Sequence, residues 1–179
     1  MNSNNRSFYI VSWNVRGLGD SDKCSIVRNA FCDAKPSIVC IQETKLATID
    51  IFKAKSFLPA NLSSSYVFAP ADGTRGGILA AWDPALFSLE IFFLKPHTLT
   101  TSLSCNATNM DFTITNTYGP SDHQGSLPYL RNLKELIPLN HGPWILLGNF
   151  NLVKCAADKC QVDLLRLGPT TESGLDPAP

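Results

Sequence analysis

The 179-residue chain has no net charge, with 15 basic residues against 15 acidic, and no C-x-x-C pair among its six cysteines. No run of apolar residues approaches the ~18 that a membrane span requires. Each absence narrows the field. The opening MNSNNRS is polar and lacks the apolar core of a signal peptide. The sequence therefore reads as intracellular, nuclear or cytoplasmic, with no membrane partner. Cysteines at 24, 32, 40, 105, 155 and 160 are too scattered for a zinc site built from close pairs. Cys32, Cys40 and Cys105 lie in apolar or helix-like surroundings, so free thiols are expected. A neutral chain has no global attraction to nucleic acid or acidic membranes, and any such binding is local. Two glycine-rich stretches also fall short of phosphate-binding motifs. GLGDSD (17–22) lacks the third glycine of a dinucleotide fingerprint and reads as a turn. GTRGG (73–77) lacks the Lys-Ser/Thr of a P-loop and reads as the opening of a strand. There is no internal repeat.

What is present is a chain with 44% hydrophobic residues, enough for one domain with a substantial core. FYIVSWN (8–14) is strand-like, and residues 22–34 carry helical spacing with Asp20, Ser21 or Asp22 as N-cap. SIVCIQE (37–43) is a second apolar strand, followed by a helix-like stretch from about Lys45 to Ser56. Strand-like runs then recur at 65–71, 76–82, 89–94, 98–106 and 111–118. A helix-like segment at 127–137 leads into WILLGNF (144–150). Two β–helix–β units followed by a series of strands predict an α/β fold of mixed sheets with covering helices. The final GPTTESGLDPAP (168–179) has no periodic apolar pattern and reads as disordered. The domain boundaries expected are a disordered 1–7, a folded 8–158, and an unrelated disordered tail over 159–179.

Four polar groups close apolar strands: Asn14, Gln42–Glu43, Asn116 to Tyr118, and Asn149–Asn151. Each has an ordinary explanation when taken singly. Asparagine is a common turn former, Glu43 fits the N-cap region of a following helix, and Tyr118 before Gly-Pro fits a packed aromatic. As a set they lie where α/β folds bind ligands, at the carboxyl ends of strands.

WNVRG (13–17), QETK (42–45), NTYGP (116–120) and GNFN (148–151) resemble, in order, the motifs of the endonuclease/exonuclease/phosphatase superfamily of DNase I-like phosphodiesterases. WNVRGLG, IQETK, GGILAAW and NTYGP are most similar to the endonuclease domain of plant LINE-type non-LTR retrotransposons. The resemblance implies a four-layer α/β sandwich, two mixed sheets face to face with helices outside. It also implies hydrolysis of a phosphodiester with Mg2+ (or Mn2+), DNA being the ancestral substrate. Asn14 and Glu43 would be the metal ligands, since a hard cation favours oxygen donors. Tyr118 would donate a hydrogen bond to the phosphate, and Asn151 would orient the phosphate or the attacking water. The alternative readings are a phosphoinositide or sugar-phosphate phosphatase of the same superfamily, and a non-catalytic nucleic-acid or protein-binding remnant.

The chain departs from the family pattern at two places. Asn149 stands where the family's Gly-Asp-Phe-Asn carries an aspartate that orients or deprotonates water, and an amide cannot serve as a base. Loss of such assistance typically costs on the order of 10²–10⁴ in rate. The resemblance also ends near Asp158, before the family's closing Ser-Asp-His. The expectation is therefore an incomplete sandwich, lacking the C-terminal strands of its second sheet. It would be inactive or nearly so, and prone to self-association through exposed sheet edges. A Ser-Asp-His at 121–123 precedes GNFN rather than following it, so His123 is expected to point away from the site. His97 and His141 read as structural or solvated. Asn14, Glu43, Tyr118, Asn149 and Asn151 are expected to converge in one cleft.

Overall fold

The computed structural model describes residues 8–136 and 142–152. In chain order the elements are β1 (Ile10–Asn14), α1 (Ser21–Ala34), β2 (Ile38–Gln42), α2 (Ile51–Phe57), β3 (Tyr66–Asp72) and β4 (Arg75–Trp82). They continue with β5 (Phe87–Lys95), β6 (Thr98–Cys105), β7 (Met110–Tyr118), α3 (His123–Lys134) and β8 (Trp144–Asn149). The expected tail over 159–179, the N-terminal 1–7, His141 and the cysteines at 155 and 160 lie outside the described residues.

Helix starts follow their caps. The Asp20 carboxylate accepts from Lys23 N at 2.9 Å and opens α1, and Lys35 closes it in the left-handed region. Asp50 accepts from Lys53 N at 2.7 Å and opens α2. The helix expected from Lys45 thus begins only at Ile51, because the backbone of residues 44 and 45 is bonded sideways to Gly77 and Gly76. The third helix begins at His123, earlier than the expected 127, because Asp122 accepts from Gly125 N at 2.6 Å and caps it there.

The strands form two four-stranded sheets, β1-β2-β4-β3 and β5-β6-β7-β8. In the first, β1 runs parallel to β2 while β4 runs antiparallel to both β2 and β3. In the second, β5, β6 and β7 are antiparallel and β8 joins β7 in parallel. Both sheets are mixed, as expected. Phe31 and Val27 of α1 and Phe57 of α2 pack with Val39, Ile41 and Leu79 on the outer face of the first sheet. Between the sheets lie Ile38, Cys40, Ile78, Trp82, Phe87, Leu99, Leu103 and Ile114. Strand β2 is covered on both faces, so every residue from Ile38 to Gln42 is buried. That is why its sequence is a continuous apolar run rather than an alternating one. Burial pushes the Cys40 thiol up to about 12, and it behaves as a core residue. Cys24, Cys32 and Cys40 are free thiols. No helix among the described residues is long and apolar enough to cross a membrane.

One polar cluster interrupts the apolar interior. Asn116 on β7 reaches across the sandwich and donates its amide hydrogens to the carbonyls of Ile41 on β2 (3.1 Å) and Leu79 on β4 (2.9 Å). Its Oδ1 accepts from Gln42 Nε2 at 2.6 Å. The Gln42 amide hydrogens are shared further with Ser12 Oγ and the Cys40 carbonyl, both at 3.0 Å. Among the described residues no buried side-chain nitrogen or oxygen lacks a partner. A satisfied buried network fixes one relative placement of its elements, and removing one member strands the others.

Asn116→Ala should therefore lower the unfolding free energy by about 1–3 kcal/mol, because it removes a buried acceptor from Gln42 and the amide donors to two buried carbonyls. The double variant Gln42→Leu/Asn116→Leu should lose less than Asn116→Ala alone. Urea denaturation measures both. A loss below about 0.5 kcal/mol for Asn116→Ala, the range of an ordinary surface change, would show that the network does not hold the sheets.

Candidate active site

Two parallel strand pairs carry the expected residues to one end of the sandwich. In the first sheet Asn14 stands opposite Gln42, and Glu43 follows directly. In the second Tyr118 stands opposite Asn149, and Asn151 follows two residues later. The segment 43–45 is pinned on both sides. Gly17 N and Leu18 N donate to the carbonyls of Glu43 (2.7 Å) and Thr44 (2.8 Å). Thr44 N and Lys45 N donate to those of Gly77 and Gly76, both at 3.0 Å. Gly77 has φ +83, and a Cβ there would collide with Thr44 Oγ1, so only glycine permits this approach.

Backbone strain concentrates here. Arg16, Glu43, Lys45 and Asn151 all lie in the left-handed region, with φ of 55, 57, 56 and 49°. For residues other than glycine this is sparsely populated backbone that costs of order 1–3 kcal/mol each, and it persists only where surroundings enforce it.

The side chains form one hydrogen-bonded chain. Lys45 Nζ lies 3.1 Å from Glu43 Oε1, and the polar side chains of Asn14 and Tyr118 sit close enough to the same carboxylate to stabilise its charge. The Asn14 amide is oriented by its own turn, since Asn14 Oδ1 accepts from Arg16 N at 3.1 Å. The Asn151 side chain hydrogen-bonds to Tyr118, and its Nδ2 also donates to the Gly119 carbonyl at 2.6 Å. Burial pushes the Glu43 carboxyl up, but the bonds from Lys45, Asn14 and Tyr118, with the charge of Lys45, outweigh it and hold the group below its ordinary range. Burial, the charge of Glu43 and the bond to it push the Tyr118 phenol up, against a smaller opposing pull from Asn151. At neutral pH Glu43 is thus an anion and Tyr118 a hydrogen-bond donor.

Asn149 is placed beside this chain, and its Oδ1 accepts from Asn151 N at 3.1 Å. It closes a two-residue turn of the same kind as Asn14. Of the five residues expected to converge, Glu43 and Tyr118 line one cleft, Asn14 and Asn151 lie beside them, and Asn149 stands opposite Tyr118 on β8 and accepts from Asn151 N. Two neighbours that the expected set lacks also belong here. Lys45, the last residue of QETK, lines the same cleft as Glu43 and Tyr118, a space of about 750 Å³. His97, expected to be structural or solvated, lines it too and lies against Tyr118, its Nδ1 3.0 Å from the Tyr118 carbonyl. Its ring meets that of Tyr129 edge-on. The position of His97 beside Pro96 in a turn gives no hint of this, because the pairing of β6 with β7 is what brings it to Tyr118. In the 121–123 triplet Asp122 is a helix cap, and the side chain of His123 lies outside the described residues.

The chain belongs to the endonuclease/exonuclease/phosphatase family, whose pattern matches residues 11–174. No curated protein matches it. Among solved structures, it is similar to a mannosyl-6-phosphatase from Bacteroides thetaiotaomicron VPI-5482, at 14% identity and a TM-score of 0.58, over 82% of this chain and 66% of that one. It is similar to D. rerio TDP2 complexed with single strand DNA product, at 16% identity and a TM-score of 0.59, over 82% and 61%. The human Nocturnin catalytic domain with bound sulfate anion aligns at 15% identity and a TM-score of 0.54, over 80% and 64%. The chain thus spans about two thirds of their length or less, and the likeness is one of fold.

The family is generally dependent on a divalent metal. The donor set here fits such an ion poorly. Among the described residues there is no group of three or more His, Cys, Asp or Glu side chains. Glu43 is already paired with an ammonium, and the side-chain oxygens of Asn14 and Asn149 accept from backbone N–H groups. Mg2+ is usually held by one or two carboxylates together with waters. A site with one neutralised carboxylate is at the weak end of that range.

The depressed Glu43 carboxyl makes a signed prediction. Its pairing stabilises the fold fully above the ordinary glutamate range, near about 4.3, and is lost as pH falls through its lower folded value. Comparing urea midpoints of the unmodified chain and Glu43→Gln across the acid range should show a gap at neutral pH that closes on acidification. A gap that is constant or widens toward acid would contradict the pairing.

Proposed function

We propose that this chain derives from the endonuclease domain of a LINE-type retrotransposon, that its ancestral substrate is DNA, and that its present hydrolytic activity is absent or very low. In this reading Asn14 and Glu43 are what is left of a metal site, while Tyr118 and Asn151 are the pair that contacts a phosphate. The observation that carries it is Asn149, an amide whose oxygen is bonded to Asn151 N where the resemblance calls for a carboxylate. No group at that position can accept a proton from water, and the pairing of Glu43 with Lys45 leaves no other unpaired carboxylate in the hydrogen-bonded chain. A D. rerio TDP2 structure holding a single strand DNA product supports a nucleic-acid ligand for this fold. The mannosyl-6-phosphatase likeness favours a second reading, a phosphatase acting on sugar phosphates or phosphoinositides.

With the chain in excess over supercoiled plasmid and Mg2+ present, nicking should stay at background. Asn149→Asp alone should recover little, since members of a catalytic unit are strongly non-additive. Robust Mg2+-dependent nicking abolished by Glu43→Ala would overturn this reading.

Self-association through a sheet edge belongs to the same proposal. Edge strand β5 exposes Ile91 (62%), Phe92 (45%) and Leu94 (46%). An exposed apolar edge is a template for pairing. Sedimentation should show mass rising with concentration, and Phe92→Lys should suppress it. A monomer at every concentration would refute the edge as an interface.

A further inference from the structure

We propose that the cleft binds phosphate esters without a divalent cation, the Lys45 ammonium being the resident positive charge of the site. The inference rests on the phosphate-ester reading above and adds what supplies the charge.

Three observations support it. First, Lys45 is built in rather than incidental. Its backbone is in the left-handed region and bonded to Gly76, and its aliphatic stem runs beside Gly17, where a Cβ would come within 3.3 Å of Cδ. A glycine here lets the stem lie flat, so part of the rotamer entropy of the lysine is already lost before a ligand arrives. Second, the pair is asymmetric toward the cleft. The Lys45 side chain is 39% exposed and that of Glu43 17%, so the ammonium faces the opening and the carboxylate sits behind it. An ammonium has three donors and Glu43 engages one, which leaves two for ligand oxygens. Third, the neighbours are donors. The Tyr118 phenol lines the same cleft, as does Arg75, which has no ion-pair partner among the described residues. Asp72 and Asp122 also line the cleft, and Asp122 is bonded to the backbone of α3. A divalent ion at Glu43 would meet the Lys45 charge at a few Å, an unfavourable like-charge contact.

The test is the binding of a short fluorescein-labelled single-stranded deoxyoligonucleotide to the full chain, followed by anisotropy. Titrations are run in excess EDTA and in MgCl2 at matched ionic strength, because counterion release changes affinity by itself. Affinity should agree within about twofold between the two conditions, and Lys45→Met should weaken it about tenfold, the loss of one charged hydrogen bond. Lys45→Arg should retain most of it. Glu43→Gln should tighten it, because it frees the ammonium. If Lys45→Met fails to unfold cooperatively, the Lys45→Arg and Glu43→Gln arms decide. Binding that Mg2+ tightens more than about tenfold, and that Glu43→Gln abolishes, would overturn the inference while keeping the phosphate-ester reading. Binding indifferent to Lys45→Met would also overturn it. No binding in either condition would sink both.

Discussion

The buried amide pair Gln42–Asn116 is the constraint on which the site depends. It is the point at which side chains of one sheet hydrogen-bond to backbone and side chain of the other. Hydrophobic packing between sheets is non-directional and tolerates sliding. Amide bonds with two named carbonyls and one named oxygen do not. Gln42 is followed directly by Glu43, and Asn116 precedes Tyr118 by two residues. Fixing one pair therefore fixes the other, and the Tyr118–Glu43 bond follows from the core rather than from the cleft.

Around that anchor the chain holds several residues in left-handed backbone at once. Glu43 and Lys45 flank Thr44, and Gly77 gives the space that lets Thr44 and the Lys45 backbone approach. In the proposed reading this arrangement outlasts the hydrolytic chemistry. The strand ends, turns and polar cluster are present, and among the described residues Asn149 offers no base and Glu43 is already paired with an ammonium. What the geometry retains is a set of donors, the ammonium of Lys45, the phenol of Tyr118 and the amide of Asn151, which suits an anion.

Much of this fold is written in the sequence. Strand periodicity located the eight strands of the described residues to within a few residues, and β2, buried on both faces, read as a continuous apolar run. The motifs also placed Asn14, Glu43, Tyr118, Asn149 and Asn151 in one region. Three features were not legible. The late start of α2 depends on backbone bonds from residues 44 and 45 to a strand thirty residues away, and local propensity does not register such bonds. His97 reaches the cleft through sheet pairing and carries no signature of its own. Asn116 and Gln42 read as members of the strand-end set, yet both are buried and hold the sheets together, a distinction that only burial makes.

The account stands or falls on what occupies the oxygen of Glu43. Crystals of the full chain soaked in Mn2+ and measured at its absorption edge would give anomalous density for any bound ion. The account predicts none at Glu43, with Lys45 Nζ still against the carboxylate. An ion ligated by Glu43 and Asn14, with Lys45 swung away, would contradict it.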